Sequence, residues 1–248
     1  MRTKINIKKY DLILPAAMCI IAGAALFTSK EDLSSIPLVT EREETLTEHV
    51  PLSKLVSITI DDGPHHYYTL KLIEMLKKHD VPATFFLVGK QIELYPELVR
   101  ELHSNGFEIG GHTYSHRNLK TLTLDEVRTE LETTRILIRQ LTNSDTYIFR
   151  PPGGQINKEI EDFVGRDGYH PVLWQVLPRD HENVKADEIA KRVLDASSKG
   201  GIILLHSGKY QTIAAIDKII PELKLRGYRF VTASAYERRR HEQTFGRT

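Results

Sequence analysis

Seven short apolar runs alternate with helical patterns from residue 55 onward, and this alternation constrains the fold more than any other feature. The runs are rich in β-branched and aromatic residues and lie near 55–60, 83–88, 107–110, 147–149, 171–176, 202–206 and 228–232. Strands that are joined through helices run parallel to one another. The sequence therefore predicts an α/β fold, either a barrel or an open parallel sheet with helices outside.

The predicted helices carry apolar residues at helical spacing, which places one stripe of each helix against the sheet. The stripes consist of Leu70, Ile73 and Leu76; of Leu94, Leu98 and Leu102; of Ile189 and Val193; and of Ile213, Ile216 and Ile220. Thr123 and Glu126 have the spacing of a capping box, which marks the start of a further helix.

The N-terminus differs from the rest of the chain. Basic residues between Arg2 and Lys9 precede the almost uncharged stretch 12–27, a pattern typical of an export signal or a signal anchor. We expect a signal peptide or membrane anchor over 1–29, a polar linker over 30–54, a folded domain over 55–235 and a polar tail over 236–248. Whether residues 1–29 are cleaved as a signal or kept as an anchor, we expect the domain outside the cytoplasm: at the cell surface, in the periplasm or secreted.

Charge and cysteine content exclude several classes of protein. The chain has 34 basic and 33 acidic residues, and its longest basic run is Arg238 to Arg240, so we expect no nucleic-acid partner. The single cysteine, Cys19, excludes an internal disulfide framework and a cysteine-rich zinc site. The eleven histidines are the larger supply of metal ligands. We expect a monomer.

Polar side chains follow the predicted strands at the point where each strand ends. They are Asp61 and Asp62 after the first strand, His112 and His116 after the third, Arg150 after the fourth, Asp180 after the fifth and His206 at the end of the sixth. In barrels and open α/β sheets, functional sites form at this edge. These residues are therefore the candidate site.

His112 and His116 are spaced by four within GGHTYSH, and a helical turn would place both imidazoles on one side. Together with Asp62 they would form a site of two nitrogens and one oxygen, which suits catalytic zinc. A cation would also offset the repulsion between Asp61 and Asp62. Asp61 would then be free to accept a proton from an attacking water.

Two further segments supply supporting groups. In FRPPGG, Arg150 can hold Asp61 by paired hydrogen bonds, and a backbone N–H near Gly153 could donate to a developing oxyanion. In IILLHS, His206 is a candidate general acid, which Asp180 could orient. Taken singly, each motif has a structural alternative. His112 and His116 could be a solvated pair, Asp61 could cap a turn, and FRPPGG could be a rigid turn. His206 could be a core histidine, and Asp180 could be a surface acid.

Five spaced segments resemble the motifs of the polysaccharide deacetylase family, also called carbohydrate esterase family 4 or the NodB-homology domain. TIDDGP, HTYSH, RPPGG and LLHS match clearly, while LPRDHEN is the poorest match. The surroundings ATFFLVG and GFEIGGH also match. The resemblance covers about 55–235 and implies a distorted, TIM-barrel-like (β/α)7 barrel. It also implies a divalent cation, generally zinc with Co²⁺, Ni²⁺ or Mn²⁺ as alternatives, and hydrolysis of N-acetyl groups on amino-sugar polymers.

The resemblance also implies a role for each candidate residue. Asp61 would be the base, and Asp62, His112 and His116 would be the metal ligands. Arg150 would tether the base, His206 would be the acid with Asp180 behind it, and the backbone near Gly153 would donate to the oxyanion. Leu204 and Trp174 are further candidate substrate residues; Trp174 and Tyr114 could contact the sugar, with packing in a strand or helix as the alternative for both. The chain departs from the family pattern at Leu177, His181, Gly153 and Ser207. These departures bear on the choice of sugar more than on the reaction.

Other functions remain open from the sequence. A metal-dependent amidohydrolase or esterase could act on another acetylated substrate with the same groups. Two histidines and one carboxylate also suit non-haem iron oxygenases. A non-catalytic glycan-binding module could keep the fold. Within the deacetylase hypothesis, peptidoglycan and chitin oligomers are both candidate substrates.

Overall fold

The computed structural model describes residues 50–245, in which parallel strands alternate with α-helices. The strands are β1 (Leu55–Gly63), β2 (Thr84–Leu87), β3 (Glu108–Gly111), β4 (Ile148–Phe149), β5 (His170–Pro171), β6 (Gly201–His206) and β7 (Arg229–Phe230). The helices are α1 (Tyr68–Lys78), α2 (Gly89–Leu94), α3 (Pro96–Ser104), α4 (Leu124–Thr142), α5 (Lys158–Gly165), α6 (Ala186–Ala196), α7 (Tyr210–Leu225) and α8 (Ala233–Phe245).

The sheet curves into a distorted barrel. Its strand order is β5-β4-β3-β2-β1-β6, and β7 also pairs with β1. Closure comes from the segment after β5, where Val176 forms a parallel bridge with Ile203 of β6. The backbone amide of Leu204 donates to the Val176 carbonyl at 3.0 Å. This arrangement confirms the α/β class predicted from the sequence and the distorted barrel implied by the family resemblance, with an irregular seam between β5 and β6.

The fifth strand is shorter than predicted. The sequence indicates a strand over 171–176, but β5 ends at Pro171. The cause is the side chain of Arg150, which donates to the carbonyl of Val172 at 3.0 Å and to that of Leu173 at 3.4 Å. These two carbonyls bond to a guanidinium group instead of to a neighbouring strand.

The alternation of side chains along β1 places its polar residues inside the barrel. Val56, Ile58 and Ile60 belong to the main hydrophobic core, which also contains the inner residues of α1 and α7. Successive side chains of a strand point to opposite faces. Thr59 and Asp61 therefore point to the barrel interior, where both are buried.

The predicted helical stripes are buried except at two positions. Leu70 is 49% exposed, because Leu72 takes the buried position in that turn of α1. Leu94 is 64% exposed, because it ends α2 and Pro96 starts α3. The predicted capping box at Thr123 is confirmed.

The structure can be compared with the predicted domain boundaries at the C-terminal end of the chain but not at the N-terminal end. Residues 236–245 belong to α8 rather than to a polar tail, because Tyr236 packs into the core beside Leu55. The predicted signal segment, 1–29, and the linker up to 49 lie outside the described residues. Within residues 50–245, no helix is both long enough and apolar enough to cross a membrane. The domain boundaries otherwise stay predictions.

Candidate active site

A backbone irregularity at the end of β1 brings two adjacent carboxylates to one place. A regular strand would point Asp61 and Asp62 to opposite faces. Asp62 instead has φ of 67°, and the pairing register with β2 shifts between Ile60 and Gly63. As a result, the Nε2 of His112 lies 3.8 Å from Asp61 Oδ2 and 3.4 Å from Asp62 Oδ1.

The three predicted metal ligands lie together. Asp62 Oδ1 is 3.2 Å from His116 Nε2, and the two imidazole centroids are 4.8 Å apart. One ligand atom from each of Asp62, His112 and His116 lies within 4.8 Å of the others. His112 is buried at the base of the site, whereas His116 is exposed at its mouth.

The two histidines do not share a helical turn, so that part of the prediction is wrong. They lie in a loop after β3, in which Thr113 and His116 have φ of 61° and 59°. The amides of Gly89 and Lys90 donate to the carbonyls of Thr113 and Tyr114 at 3.0 and 2.9 Å. Bonds from the start of α2 therefore give the loop its shape.

The chemistry of this donor set fits a divalent cation. His112 Nδ1 lies 2.7 Å from the carbonyl oxygen of Arg150, which can only accept, so Nδ1 carries the proton and Nε2 presents a lone pair. Burial raises the pKa of the Asp62 carboxyl, but the adjacent imidazoles of His112 and His116 outweigh burial and hold that pKa well below its ordinary value. A carboxylate and two imidazole nitrogens suit zinc and related cations.

Arg150 fixes Asp61 from inside the barrel. The guanidinium is fully buried, and its Nη1 donates to Asp61 Oδ1 and to Thr59 Oγ1, both at 2.7 Å. The predicted paired bond to Asp61 is therefore a single bond, because the other donors serve Thr59 and two backbone carbonyls. The rings of Phe86 and Trp174 lie 4.2 and 5.7 Å from the guanidinium carbon.

Sequence reasoning missed Thr59. Its hydroxyl donates to the Ile203 carbonyl at 2.7 Å while it accepts from Arg150. The available signal was its place two residues before Asp61, on the same face of the strand.

His206 lies beside Asp61 across the β1–β6 pairing. Its backbone amide and its Nδ1 donate to the two oxygens of Asp180 at 2.8 and 2.7 Å. Burial lowers the pKa of His206, but the hydrogen bond and charge of Asp180, with smaller contributions from Asp61 and Asp62, raise it above the ordinary value. Asp180 therefore orients His206 and favours its protonated form.

Asp180, His181 and His206 are a second group whose ligand atoms lie within 4.8 Å of one another. Both oxygens of Asp180 already accept hydrogen bonds, from His206 and from the Thr212 hydroxyl at 2.8 Å. The His181 ring packs edge-on against His206, with centroids 5.4 Å apart. The occupied carboxylate makes this group the poorer of the two cation sites.

Two of the four candidate substrate residues, Gly153 and Trp174, are at least partly exposed. Gly153 is exposed with φ of 60°, and its amide donates no hydrogen bond within residues 50–245. Trp174 is half-buried against Gly154, where an added Cβ would lie 2.9 Å from the indole.

The other two candidates, Leu204 and Tyr114, make contacts within the protein. Leu204 is 4% exposed on β6, two residues before His206 and therefore on the same face of the strand, and its role at the substrate stays a prediction. Tyr114 donates to Glu93 at 2.9 Å, and its ring packs against Gly89.

Leu177 and Ser207 are the other two residues that depart from the family pattern. Leu177 is 42% exposed on the segment that leads to Asp180. Ser207 donates its backbone amide to the Asp61 carbonyl at 2.9 Å, so it holds the end of β1 through a group that every residue except proline has.

Comparison with known proteins identifies the family of this chain. A sequence model described as polysaccharide deacetylase matches residues 49–172. The chain is 40% identical to a peptidoglycan-N-acetylglucosamine deacetylase of Bacillus cereus over 71% of this chain and 66% of the relative. It is 32% identical to a chitooligosaccharide deacetylase of Azorhizobium caulinodans over 70% of this chain and 90% of the relative.

Solved structures agree with the sequence comparison. The structure of the peptidoglycan deacetylase PdaC from Bacillus subtilis superimposes with a TM-score of 0.71 at 31% identity, over 77% of this chain and 93% of that one. The chain belongs to the polysaccharide deacetylase family, as its motifs indicate.

Proposed function

We propose that this protein removes N-acetyl groups from an amino-sugar polymer by hydrolysis, with zinc as its cation and peptidoglycan as its first candidate substrate. The observation that carries the proposal is the convergence of three functions at one edge of the barrel. A tethered carboxylate (Asp61), three cation ligands and a histidine paired with an acid (His206 with Asp180) meet there.

Each residue has a distinct task in the hydrolysis. A cation held by Asp62, His112 and His116 would polarise the acetyl carbonyl and acidify the attacking water. Asp61 accepts the proton of that water, and Arg150 keeps the carboxylate in place. The Gly153 amide donates to the oxygen on which negative charge develops.

His206 completes the reaction as the general acid. Its Nδ1 is bonded to Asp180, so Nε2 is the nitrogen that gives its proton to the departing amine. The carbon–nitrogen bond breaks, and the products are acetate and a free amine on the sugar. An amide nitrogen is a poor leaving group unless it is protonated, which is why the site needs an acid opposite its base.

A panel of substrates tests the proposed function. Acetate release should be measured on peptidoglycan, chitin oligomers, poly-N-acetylglucosamine and acetylated xylan, with the chelated protein and with the zinc-restored protein. We expect release from at least one N-acetylated glycan, only after zinc is restored, with one new amine per acetate. Release from xylan alone would favour an esterase, and glycan binding without release would favour a binding module.

We also propose that the domain acts outside the cytoplasm, where cell-wall glycans lie. The support is the basic start and the apolar stretch 12–27, which would anchor the chain to the membrane if it is not cleaved. Fractionation of cells that express the full chain tests this, and recovery from the cytoplasm would contradict it.

Asp180 should set the alkaline limit of activity. His206 must be protonated to act as an acid, so activity is present below its pKa and is lost as the pH rises through it. Asparagine at 180 can still accept from Nδ1 but lacks the charge that raises the pKa of His206. Asp180→Asn should therefore move the alkaline limb of the kcat profile to lower pH.

A matched variant separates charge from hydrogen bonding at this position. Thr212→Val removes one hydrogen bond to Asp180 and keeps the carboxylate. Its alkaline limb should stay near that of the unchanged protein. An alkaline limb that does not move in Asp180→Asn would contradict the assignment of His206 as the acid.

A partly exposed aromatic surface next to the site, on which His66 and Tyr67 are exposed, suits a long glycan. We call it the aromatic strip; it consists of His65, His66, Tyr67 and Tyr95, whose ring centroids lie 5.7 to 6.4 Å from their neighbours. The strip begins three residues after Asp62, and His65 lies against Gly208, two residues beyond His206. Aromatic faces can pack on the apolar faces of sugar rings, so the strip offers contacts beyond the reacting sugar.

The aromatic strip should matter for long substrates only. Replacing His66 and Tyr67 together with alanine should lower kcat/KM on a chitin hexamer by about 2- to 10-fold and leave it unchanged on a disaccharide. Leu225→Ala is the control, because Leu225 is 83% exposed at the end of α7, away from the strand ends that carry the site. An equal loss on both substrates would mean that the strip does not bind the polymer.

A further inference from the structure

Glu130 is a buried carboxylate that has no task in the proposed hydrolysis. It lies on α4, where it is 8% exposed. One oxygen accepts from the backbone amide of Ser115 at 2.7 Å, and the other accepts from the Ser115 hydroxyl at 2.5 Å. Ser115 directly precedes the ligand His116, so Glu130 bonds to the loop that carries the cation site.

That loop needs support because its backbone is in an unfavourable conformation. Thr113 and His116 are both left-handed, a conformation that disfavours residues with a side chain. The His116 amide donates to the Thr113 hydroxyl at 3.1 Å, which closes the loop on itself. Bonds to the start of α2 hold only the first half of the loop, at Thr113 and Tyr114. Glu130 holds the second half of the loop, at Ser115.

We propose that Glu130 is a positioning residue that holds His116 ready for the cation. With both Ser115 bonds in place, the His116 imidazole already lies 3.2 Å from Asp62. Without them, the loop can relax out of its left-handed conformation, and cation binding must restore it. Loss of an outer partner of this kind weakens metal binding by about 10- to 100-fold.

The test is the cation affinity of the metal-free full chain, measured by competition with a chromophoric chelator for Zn²⁺ and Co²⁺. Glu130→Leu fills the space but removes both acceptors, and we expect about 10- to 100-fold weaker binding. Glu130→Gln should bind nearly as well as the unchanged chain. Its amide oxygen can accept from the Ser115 amide, and its NH₂ group can donate to the hydroxyl.

A second variant tests the same contact from the other side. Ser115→Ala keeps the hydrogen bond from the backbone amide to Glu130 and removes the one from the hydroxyl. We expect about fivefold weaker cation binding. It serves in place of Glu130→Leu if that chain does not fold. Asp125→Asn is the control, because Asp125 lies on the same helix with a side chain that is 94% exposed.

The inference rests on the cation site of the proposed function, and the outcomes separate the two. A folded Glu130→Leu or Ser115→Ala chain with the affinity of the unchanged protein would overturn the role of Glu130 alone. An unchanged chain that binds no cation would overturn the site and the role together. A merely structural role would lower the melting temperature of the metal-free chain without changing the affinity of the folded fraction.

Discussion

Replacing Asp61 with asparagine should lower kcat for acetate release by about 10²- to 10⁴-fold, while the protein still binds its cation. Asparagine keeps an oxygen that accepts from Arg150, so the fold of the barrel end should survive. It cannot accept a proton from water at neutral pH. The measurement is kcat on the best substrate of the panel, with the cation content determined on the same sample.

The control for this variant is Asp195→Asn. Asp195 is an exposed acid on α6 that pairs only with Lys191 at 2.7 Å, among the described contacts. It should keep full activity. Activity of Asp61→Asn within a few-fold of the unchanged protein would show that another group is the base, and loss of the cation would show that Asp61 is a ligand.

Replacing His116 with alanine should abolish both cation binding and turnover. The substitution removes one of the three side chains that would bind the cation directly. It should therefore weaken cation binding by more than roughly 100-fold, which is the effect of losing a residue that only supports a ligand. The exposed position of His116 means that the variant should fold normally. Cation affinity and acetate release should be measured side by side with those of Asp61→Asn, which is expected to lose turnover alone.

His103→Ala is the matched control, because His103 is an exposed histidine near the end of α3. It should bind the cation and turn over normally. If His116→Ala kept the affinity of the unchanged protein, the assignment of the ligands would be wrong even though the three side chains lie together.

The pattern of strands and helices could be predicted because it depends on local periodicity. The same reasoning placed Asp61, His112, Arg150 and His206 at one edge, since carboxyl ends of parallel strands meet there. It failed at β5, because the competing hydrogen bonds come from Arg150, which is 22 residues away in the chain. The spacing of apolar residues within a strand cannot predict contacts with residues so far away in the chain.

The geometry of the site depends on backbone conformations that spacing does not reveal. The left-handed residue Asp62 turns two neighbouring carboxylates to one side, and left-handed Thr113 and His116 replace the predicted helical turn. Glu130 left a signal that could have been used. It lies between Val127 and Leu131 on the buried face of α4, where a charged residue needs a partner.

Anomalous diffraction from crystals grown with zinc tests the central claim most directly. Data collected on both sides of the zinc absorption edge should show one ion bonded to Asp62, His112 and His116 at about 2 Å. A peak between Asp180, His181 and His206, with none at the first site, would contradict the claim. It would mean that the residues assigned here to proton transfer hold the metal instead.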